Sequence, residues 1–348
     1  MRVMLCDDSA VARGAIARML GTDAELRVVA QARDGREAVG TLSQLPAGER
    51  PAVVLLDLEM PVMDGMTALP LLLRAQPGLA VIVASALSQR GAVATMRALA
   101  AGAVDYVPKP AASAGGMGDP RFREELIAKV KGWARMRRST AAAARGVVAP
   151  VRVAGARPRL ICIGSSTGGP QALAALVARL DRPLRVPVVA VQHMPAGFTA
   201  MLADHLDKVG RLRCAEAKEG EALRPGCLYL APGDRHLLVK EGAAGLVAVL
   251  NDGPAENFCR PAVDPMLRSA VAACGGRVLA AILTGMGQDG LAGCRALAAA
   301  GGTVLAQDEA SSVVWGMPGA VARAGIASAV APVEEIAARL LAAAGETR

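Results

Sequence analysis

The chain has 348 residues, more than one hydrophobic core usually supports, which predicts two domains. Aromatic residues make up only 2% of it, and its seven cysteines include no C-x-x-C pair, which argues against a disulfide scaffold or a zinc ribbon. The net charge of +8 equals the excess of eleven Lys/Arg over three Asp/Glu in residues 111–159 alone. No aromatic platform or helix-turn-helix pattern accompanies this basic segment, so we expect no nucleic-acid partner.

Residues 1–138 predict an α/β domain built from five strand–helix units. Its short apolar strands lack polar alternation, which is typical of a parallel sheet buried on both faces. The predicted strands are 2–6, 26–32, 52–56, 80–84 and 105–107, and the predicted helices are 11–20, 35–45, 65–76, 91–101 and 121–138.

Residues 139–159 combine an Ala run, prolines and scattered arginines without either periodicity, so we expect a linker there. From residue 160 to 345 the alternation resumes, which predicts a second, larger domain. Its predicted strands are 160–164, 186–192, 227–230, 237–239, 246–250, 278–283 and 302–306. We expect a mostly parallel, doubly wound sheet with an antiparallel hairpin around residues 227–250.

Polar side chains end four strands of the first domain. Asp7 and Asp8 follow the first strand, Asp57 ends the third, Ser85 ends the fourth and Lys109 follows the fifth. A lone Asp before a helix is more often a helix cap, but functional groups collect at the carboxyl ends of parallel strands. Four strands that end in this way therefore predict a site.

Three carboxylates that lie close together raise one another's pKa, so such a cluster needs a cation to stay ionised. An all-oxygen ligand set favours Mg²⁺, which takes one or two carboxylates and leaves room for a phosphate oxygen. Asp8 and Asp57, with Asp7 close by, are the candidate ligands. One carboxylate can then attack phosphorus while the metal and a lysine offset the charge on the transferring group.

These residues resemble the receiver domain of bacterial response regulators, which implies a five-stranded, flavodoxin-like fold. The matching motifs are Asp7-Asp8-Ser9, Asp57-Leu58-Glu59-Met60-Pro61, Asp64-Gly65, Ser85-Ala86 and Tyr106-Val107-Pro108-Lys109-Pro110. The resemblance implies that Asp57 accepts a phosphoryl group. It implies a magnesium site formed by Asp7, Asp8, Asp57 and the carbonyl of Glu59. It also implies phosphate-sensing roles for Ser85, Lys109 and the aromatic switch residue Tyr106.

A glycine-rich turn between a strand and a helix carries the first candidate residue of the second domain. Residues 164–168 read Gly-Ser-Ser-Thr-Gly and fit G-x-S-x-G, in which small residues let a strained turn present a serine, here Ser166. The turn lacks the second glycine of a dinucleotide fingerprint and the lysine of a P-loop. For this motif alone, a plain glycine-rich turn is an equal alternative.

His193 and Asp289 follow predicted strands of the same sheet, so they should share its edge with Ser166. His205 falls in a polar helical stretch and His236 in a turn, which leaves His193 as the histidine at a strand end. A serine hydroxyl needs a base, and the imidazole needs a carboxylate to fix its tautomer. Ser166, His193 and Asp289 supply these roles.

Two backbone amides are candidate oxyanion donors, those of Thr167 at the helix start and Met286 in the glycine turn 284–290. Each such donor typically contributes about 2.7–4 kcal/mol to transition-state stabilisation. The chain order Ser, His, Asp differs from that of α/β-hydrolases, which argues against that fold but leaves the chemistry possible.

The second domain resembles the catalytic domain of the chemotaxis protein-glutamate methylesterases, and the receiver–linker–hydrolase order extends the resemblance over nearly the whole chain. The matching motifs are Gly164-Ser165-Ser166-Thr167-Gly168-Gly169, Gln192-His193-Met194, Leu230-Ala231-Pro232-Gly233-Asp234-Arg235-His236, Arg260-Pro261-Ala262-Val263-Asp264 and Thr284-Gly285-Met286-Gly287-Gln288-Asp289-Gly290. The resemblance implies hydrolysis of glutamate γ-methyl esters on cytoplasmic helices of chemoreceptors, and deamidation of some glutamines. It implies no cofactor for the esterase step and a chemotaxis histidine kinase as phosphodonor.

Two positions depart from the family pattern. Cys259 stands where the family often has histidine, and Gln288 stands where asparagine is common. Neither belongs to the predicted triad, but both could shift substrate preference. Only Arg260 adjoins Cys259 as a basic residue, so the sequence does not favour a reactive thiol.

Two other functions stay open from the sequence. One is a receiver joined to a serine hydrolase with another ester or amide substrate, and the other is a response regulator whose second half only binds a partner or DNA.

The acidic N-terminus and the absence of a long apolar run predict a cytoplasmic protein without membrane insertion. We also expect inhibition before phosphorylation, with the receiver face around Ser85, Tyr106 and Lys109 packed near Ser166 until Asp57 is phosphorylated.

Overall fold

The computed structural model describes residues 1–86, 88–109, 118–139 and 157–344. The chain forms two compact units, Met1–Ala144 and Arg145–Arg348. Residues 140–156, which hold most of the predicted linker, and Pro110 of the receiver motif lie outside the described residues.

The first unit is a parallel sheet of five strands in the order β2-β1-β3-β4-β5, with helices between successive strands. The strands are β1 Arg2–Cys6, β2 Arg27–Ala32, β3 Val53–Asp57, β4 Ala80–Ala86 and β5 Asp105–Lys109. The helices are α1 Ala10–Leu20, α2 Gly35–Gln44, α3 Gly65–Ala75, α4 Gln89–Ala100 and α5 Pro120–Ser139. The order reverses between β1 and β3, and doubly wound folds bind ligands at such a point. The predicted fold class of this unit is confirmed.

Side-chain caps explain where four of these helices begin. Ser9, Asp34, Asp64 and Ser88 each accept a hydrogen bond from a backbone N–H in the first turn of the following helix. Asp34 and Asp64 therefore have the capping role expected of a lone acid before a helix. Asp57 is different, because it closes a strand that is buried along its whole length.

The basic segment at the end of the first unit is partly neutralised within the fold. Lys129 is 4% exposed on α5 and forms ion pairs with Asp105 and Glu125. Lys131, on the same helix, pairs with Asp23. These pairs lower the free positive charge that a nucleic acid would need. In the described ranges, no helix has both the length and the apolar character needed to cross a membrane.

The second unit is built on a parallel sheet of seven strands in the order β14-β13-β12-β6-β7-β9-β8. Its strands are β6 Leu160–Ser165, β7 Val188–Gln192, β8 Arg213–Glu216, β9 Cys227–Leu230, β12 Val278–Ile282, β13 Thr303–Gln307 and β14 Ala329–Ala331. The helices are α6 Gly169–Arg179, α7 Phe198–Val209, α8 Val263–Cys274, α9 Leu291–Ala299, α10 Met317–Arg323 and α11 Val333–Ala344. The predicted parallel sheet is confirmed, and the neighbours of β6 are β7 and β12.

The hairpin differs from its prediction in extent. It consists of β10 His236–Gly242 and β11 Gly245–Asn251 alone, whereas β9 pairs in parallel with β7 and β8. Strands β8 and β14 were not predicted, because β8 alternates exposed and buried residues at the sheet edge and β14 has three residues. His236 was predicted to lie in a turn, but it opens β10, where its ring is buried.

Candidate active sites

The acidic residues of the first unit lie where the strand order reverses. Asp7 and Asp8 follow β1, and Asp57 ends β3 beside it. One carboxylate oxygen from each of the three lies within 4.8 Å of the others. Asp7 and Asp57 are buried, whereas Asp8 is exposed. We call these three carboxylates and Lys109 the acidic site.

Lys109 joins two of these carboxylates from the end of β5. Its Nζ lies 2.7 Å from Asp57 Oδ2 and 2.9 Å from Asp7 Oδ2. Burial raises the pKa of Asp57 above its usual range, although the hydrogen bond and charge of Lys109 oppose this. Burial alone would lower the pKa of Lys109, but its bonds to Asp57 and Asp7 raise it overall. The lysine therefore stays charged and balances the carboxylates.

A cavity of about 260 Å³ opens beside the acidic site, and Glu59, Ser85 and Gly91 line it together with Asp8, Asp57 and Lys109. The Ser85 hydroxyl donates a hydrogen bond to the carbonyl of Gly91 in α4. Tyr106 is not at this cavity wall. Its ring is 4% exposed, with the Lys129 ammonium 4.8 Å from the ring centre. The structure thus brings all the predicted acidic-site residues together except Tyr106, which is buried in β5.

The three candidate residues of the second unit follow adjacent strands. Ser166 comes after β6, His193 comes after β7 on one side, and Asp289 follows β12 on the other side. The amide of His193 donates to the Ser165 carbonyl, and the amide of Ser166 donates to the Thr284 carbonyl, which precedes the loop to Asp289. We call Ser166, His193 and Asp289 the serine site.

Burial separates the two serines of the turn. Every residue from Leu160 to Pro170 is buried except Ser166. The neighbouring hydroxyl of Ser165 is fully buried and donates to Gln192 Oε1 at 2.8 Å. A Cβ at Gly169 would lie 1.8 Å from that same oxygen, so only glycine permits this packing. Ser166 is therefore the serine that the turn presents.

Asp289 is held by an extensive set of hydrogen bonds. Its Oδ2 lies 2.8 Å from His193 Nε2 and accepts the Val263 amide at 2.6 Å. Its Oδ1 accepts the amides of Asp264 and Gly290 at 3.1 and 2.9 Å. The side-chain amide of Asn257 donates to the same oxygen at 3.0 Å. Burial alone would raise the pKa of Asp289, but these bonds and the charge of His193 lower it.

Both nitrogens of the His193 ring have partners. Nε2 bonds Asp289, and Nδ1 lies 3.4 Å from Cys259 Sγ. Burial alone would lower the pKa of His193, but the hydrogen bonds to Asp289 and Cys259 raise it to about 10. Among the described residues, the Ser166 hydroxyl forms no hydrogen bond to His193. The contact between Cys259 and His193 joins residues that are 66 positions apart in the sequence, and it was not predicted.

The candidate oxyanion donors belong to two segments that meet at Ser166. Gly285, which precedes Met286, packs so closely that an added Cβ would be 2.9 Å from Ser166 Cβ. Thr167 is buried, and its carbonyl accepts the Thr284 hydroxyl. Within the described ranges, the backbone N–H groups of Thr167 and Met286 donate no hydrogen bond. Both amides are therefore available to a negatively charged oxygen near Ser166.

Several residues that support the serine site were not predicted from the sequence. The Gln192 side chain donates to the carbonyls of Ser166 and His193, which ties β6 to β7. Asn257 Nδ2 bridges Asp289 and the buried Asp264. Gln192 and Asp264 lie in motifs that carry the family resemblance, and this position could have indicated that they support the site. No sequence pattern indicated Asn257.

The other two histidines have structural positions. His236 accepts the Ala262 amide at Nδ1, and its Nε2 bonds the Pro254 carbonyl. His205 is half-buried on α7, where burial and Lys208 lower its pKa. Neither histidine forms a hydrogen bond to a residue of the serine site.

Comparisons with known proteins agree with both units. The response regulator receiver domain family matches residues 3–115, and the CheB methylesterase family matches residues 161–340. A protein-glutamate methylesterase/protein-glutamine glutaminase of Azospirillum brasilense is 49% identical over 97% of this chain and 91% of its own length. One from Paramagnetospirillum magneticum is 48% identical over 97% and 94%. The Thermotoga maritima CheB methylesterase catalytic domain, a crystal structure, matches 54% of this chain and 99% of its own, with 41% identity and a TM-score of 0.52.

Proposed function

The chain belongs to the CheB methylesterase family, and from this we propose that it hydrolyses glutamate γ-methyl esters on chemoreceptors and deamidates some of their glutamines during chemotaxis adaptation. The receiver family match supports control of this reaction by phosphorylation in the first unit. The observation that carries the proposal is the half-buried Ser166 beside the bonded pair of His193 and Asp289 at the ends of adjacent strands.

In the proposed first step, Ser166 Oγ attacks the ester carbonyl carbon as His193 takes the hydroxyl proton. The backbone amides of Thr167 and Met286 stabilise the negative oxygen that develops. Asp289 keeps the charged imidazole in place. His193 then returns the proton to the leaving oxygen, so methanol departs and an acyl-serine ester remains.

In the second step, water attacks the acyl-serine carbonyl and His193 takes its proton. Ser166 recovers its proton when it leaves, and the product is a glutamate side chain. With glutamine as substrate the same steps release ammonia instead of methanol. The esterase step needs no cofactor in this scheme, because each proton moves between substrate, Ser166 and His193.

In the first unit, Asp57 is the proposed phosphoacceptor. Its carboxylate oxygen attacks phosphorus, the donor leaves, and Lys109 balances the added charge. The cluster of three carboxylate oxygens within 4.8 Å fits a hard divalent cation. Asp7, Asp8, Asp57 and the carbonyl of Glu59 would hold Mg²⁺, which supplies charge neutralisation to phosphoryl transfer. Ser85 and Tyr106 keep their proposed roles in sensing the phosphate.

The proposed organisation is a receiver domain at 1–138, a linker at 139–159 and a catalytic domain at 160–345. The substrate is a methyl-accepting chemotaxis receptor, and the phosphodonor is a chemotaxis histidine kinase. Because these receptors present their methylated helices to the cytoplasm, we place the protein there. No nucleic acid and no membrane insertion is required.

Methanol release from methylated receptor membranes tests the proposal, with and without a small-molecule phosphodonor and Mg²⁺. Wild type should release methanol and respond to the donor, whereas Asp57→Asn should release methanol without any response. Asp64→Asn is a matched control, since Asp64 caps α3 and asparagine also caps helices. No methanol from wild type, with activity on other esters, would support a receiver-linked hydrolase with a different substrate.

A further inference from the structure

The loop before α8 contains a tight turn of unusual backbone conformation. Glu256 and Cys259 exchange backbone hydrogen bonds of 3.1 and 2.9 Å, so two residues form the turn. These are Asn257 and Phe258, with φ of 51° and 64°. Two positive φ values are the signature of a type I′ turn, which favours asparagine first and glycine second. Phenylalanine at the second position is strained, since a bulky side chain is disfavoured at positive φ.

The side chain of Phe258 is also exposed. It is 77% accessible, whereas Phe122 and Phe198 are 8% and 1% accessible. Of the seven aromatic residues, all within the described ranges, only Phe258 falls in the exposed class. Burial therefore does not explain why the chain keeps a strained aromatic residue here.

The residues on both sides connect this turn to the serine site. Asn257 donates to the Asp289 carboxylate, and Cys259 contacts the ring of His193. Glu256 forms an ion pair with Arg268 on α8. The backbone of Phe258 is thus held in place by the same residues that position the catalytic pair. Strained conformations that are over-determined in this way cluster at ligand-binding sites.

We propose that Phe258 is a specificity-determining residue that binds an apolar side chain on the receptor helix, next to the esterified glutamate. This inference rests on the proposed function, which requires a macromolecular substrate to dock beside Ser166. Exposed, rigidly held aromatic residues are frequent anchors of protein interfaces. Arg260, two residues further along the chain, bonds Asp234, so a charged pair follows the aromatic residue, as in the polar rim of an interface. An amphipathic helix, with apolar residues one turn from the glutamate, fits this combination.

The test compares two substrates of the phosphorylated full-length protein. One is a methylated chemoreceptor cytoplasmic fragment, and the other is N-acetyl-glutamate γ-methyl ester N-methylamide, which has no helix to bind. In Phe258→Ala, KM for the fragment should rise by about tenfold with kcat within about twofold. For the small ester, kcat/KM should stay within about twofold, because the serine site is intact. Phe258→Leu, which keeps an apolar side chain, should recover most of the affinity for the fragment.

Two further variants separate docking from folding. Val330→Ala is the matched control, because it truncates another exposed apolar residue of the same unit, which is 47% accessible on β14. It should leave kcat and KM for both substrates unchanged. Phe258→Gly should raise KM like Phe258→Ala while its melting temperature stays at or above that of wild type, since glycine accepts positive φ.

Three results would overturn the proposal: unchanged KM for the fragment in Phe258→Ala, equal losses on both substrates, or a lowered melting temperature in Phe258→Gly. The last two would mean that Phe258 shapes the serine site or the fold instead of binding substrate. A wild type that releases methanol from neither substrate would overturn the proposed function, and this inference with it. A wild type that is active on the fragment but insensitive to Phe258 substitution would overturn the inference alone.

Discussion

The acidic site and the serine site both lie at carboxyl ends of parallel strands where the strand order reverses, but they balance a buried carboxylate in different ways. Asp57 is balanced chiefly by one lysine side chain, which is 29% exposed, and it accepts a single long backbone hydrogen bond of 3.4 Å from the Glu59 amide. Asp289 is balanced by three backbone amides, Asn257 and His193, and is 2% exposed. A single side chain can change partners when a phosphoryl group arrives, whereas backbone amides cannot move without disturbing the fold. The first arrangement suits a switch, and the second suits a catalytic group of fixed geometry.

The two carboxylates also differ in the direction of their pKa shifts. Burial alone would raise the pKa of both carboxyls. At Asp57 the effect of burial exceeds that of Lys109, and the pKa is raised. At Asp289 the hydrogen bonds and His193 prevail over burial and lower the pKa. Asp289 therefore stays ionised over the whole working pH range, while the charge of Asp57 depends on its cationic partners.

The largest effect is expected from removal of the Ser166 hydroxyl. Ser166→Ala should lower kcat by about 10⁴-fold or more, because loss of the proposed nucleophile removes the whole covalent route. Ser165→Ala is the matched control: it removes a buried hydroxyl bonded to Gln192, so it should cost about 1 kcal/mol of stability and leave most activity. Methanol release and thermal unfolding measure both effects. Equal activity losses in the two variants would show that Ser166 has no special role.

A smaller loss is expected from neutralising Asp289. Asp289→Asn should lower kcat by about 10³- to 10⁴-fold, as in other triads where the imidazole loses its orienting carboxylate. His193 must be neutral to accept a proton, so wild-type activity should rise with pH through its raised pKa of about 10. Without the carboxylate this pKa falls, and the ascending limb should move to lower pH. Asp204→Asn, an exposed acid on α7, is the control.

The same shift makes a prediction for stability. A raised folded-state pKa of His193 means that its charged pair with Asp289 stabilises the fold fully below the ordinary pKa of about 6.5. That contribution is lost as pH rises through about 10. The difference in unfolding free energy between wild type and Asp289→Asn should therefore be larger at pH 6 than at pH 10.5. A pH-independent difference would contradict the pairing.

The strands were largely predictable because buried parallel strands are continuous apolar runs. β1 agrees with its predicted bounds, 2–6, and β9 with 227–230. The pairing of β9 was not predictable, since its partners β7 and β8 are selected by packing of the whole sheet. β8 escaped prediction because an edge strand with one exposed face lacks a continuous apolar run.

The serine site was predictable to the extent that strand ends indicate it. Ser166, His193 and Asp289 each follow an apolar run, so sheet topology alone brings them to one edge. Asn257 lies 32 residues from Asp289 in a loop, and no periodicity indicates its contact. The contact of Cys259 with His193 spans 66 residues and depends on how the loop folds over the sheet. Long-range loop contacts of this kind require coordinates.

On the acidic side, Lys109→Met tests whether one side chain balances the carboxylates. Methionine keeps most of the length but no charge, so the pKa of Asp57 should rise further above its usual range. A raised carboxyl pKa costs stability only at pH values where the group is ionised. With a chelator present to remove metal ions, the melting temperature of Lys109→Met should therefore fall further below that of wild type at pH 8 than at pH 4. The esterase response to a phosphodonor should fall by about tenfold or more, because charge on the transferring group is no longer offset. Lys131→Met is the control: it removes a lysine of α5 that pairs with Asp23, and it should keep the full esterase response to the phosphodonor.

The smallest effect is expected at the thiol that occupies the second nitrogen of His193. The bond to Cys259 helps to raise the pKa of His193, so Cys259→Ala should move the ascending limb of the pH profile to lower pH. With more of the imidazole neutral and Nδ1 open to the serine proton, kcat/KM at pH 7 should rise by about two- to fivefold. Cys259→Ser should behave more like wild type, and Cys227→Ala, a half-buried thiol on β9, should change nothing. Complete loss of activity in both Cys259 variants would instead mean that the thiol takes a direct part in the chemistry. His193 and Asp289 would then activate the Cys259 sulfur, which lies 3.4 Å from His193 Nδ1, and not the Ser166 hydroxyl.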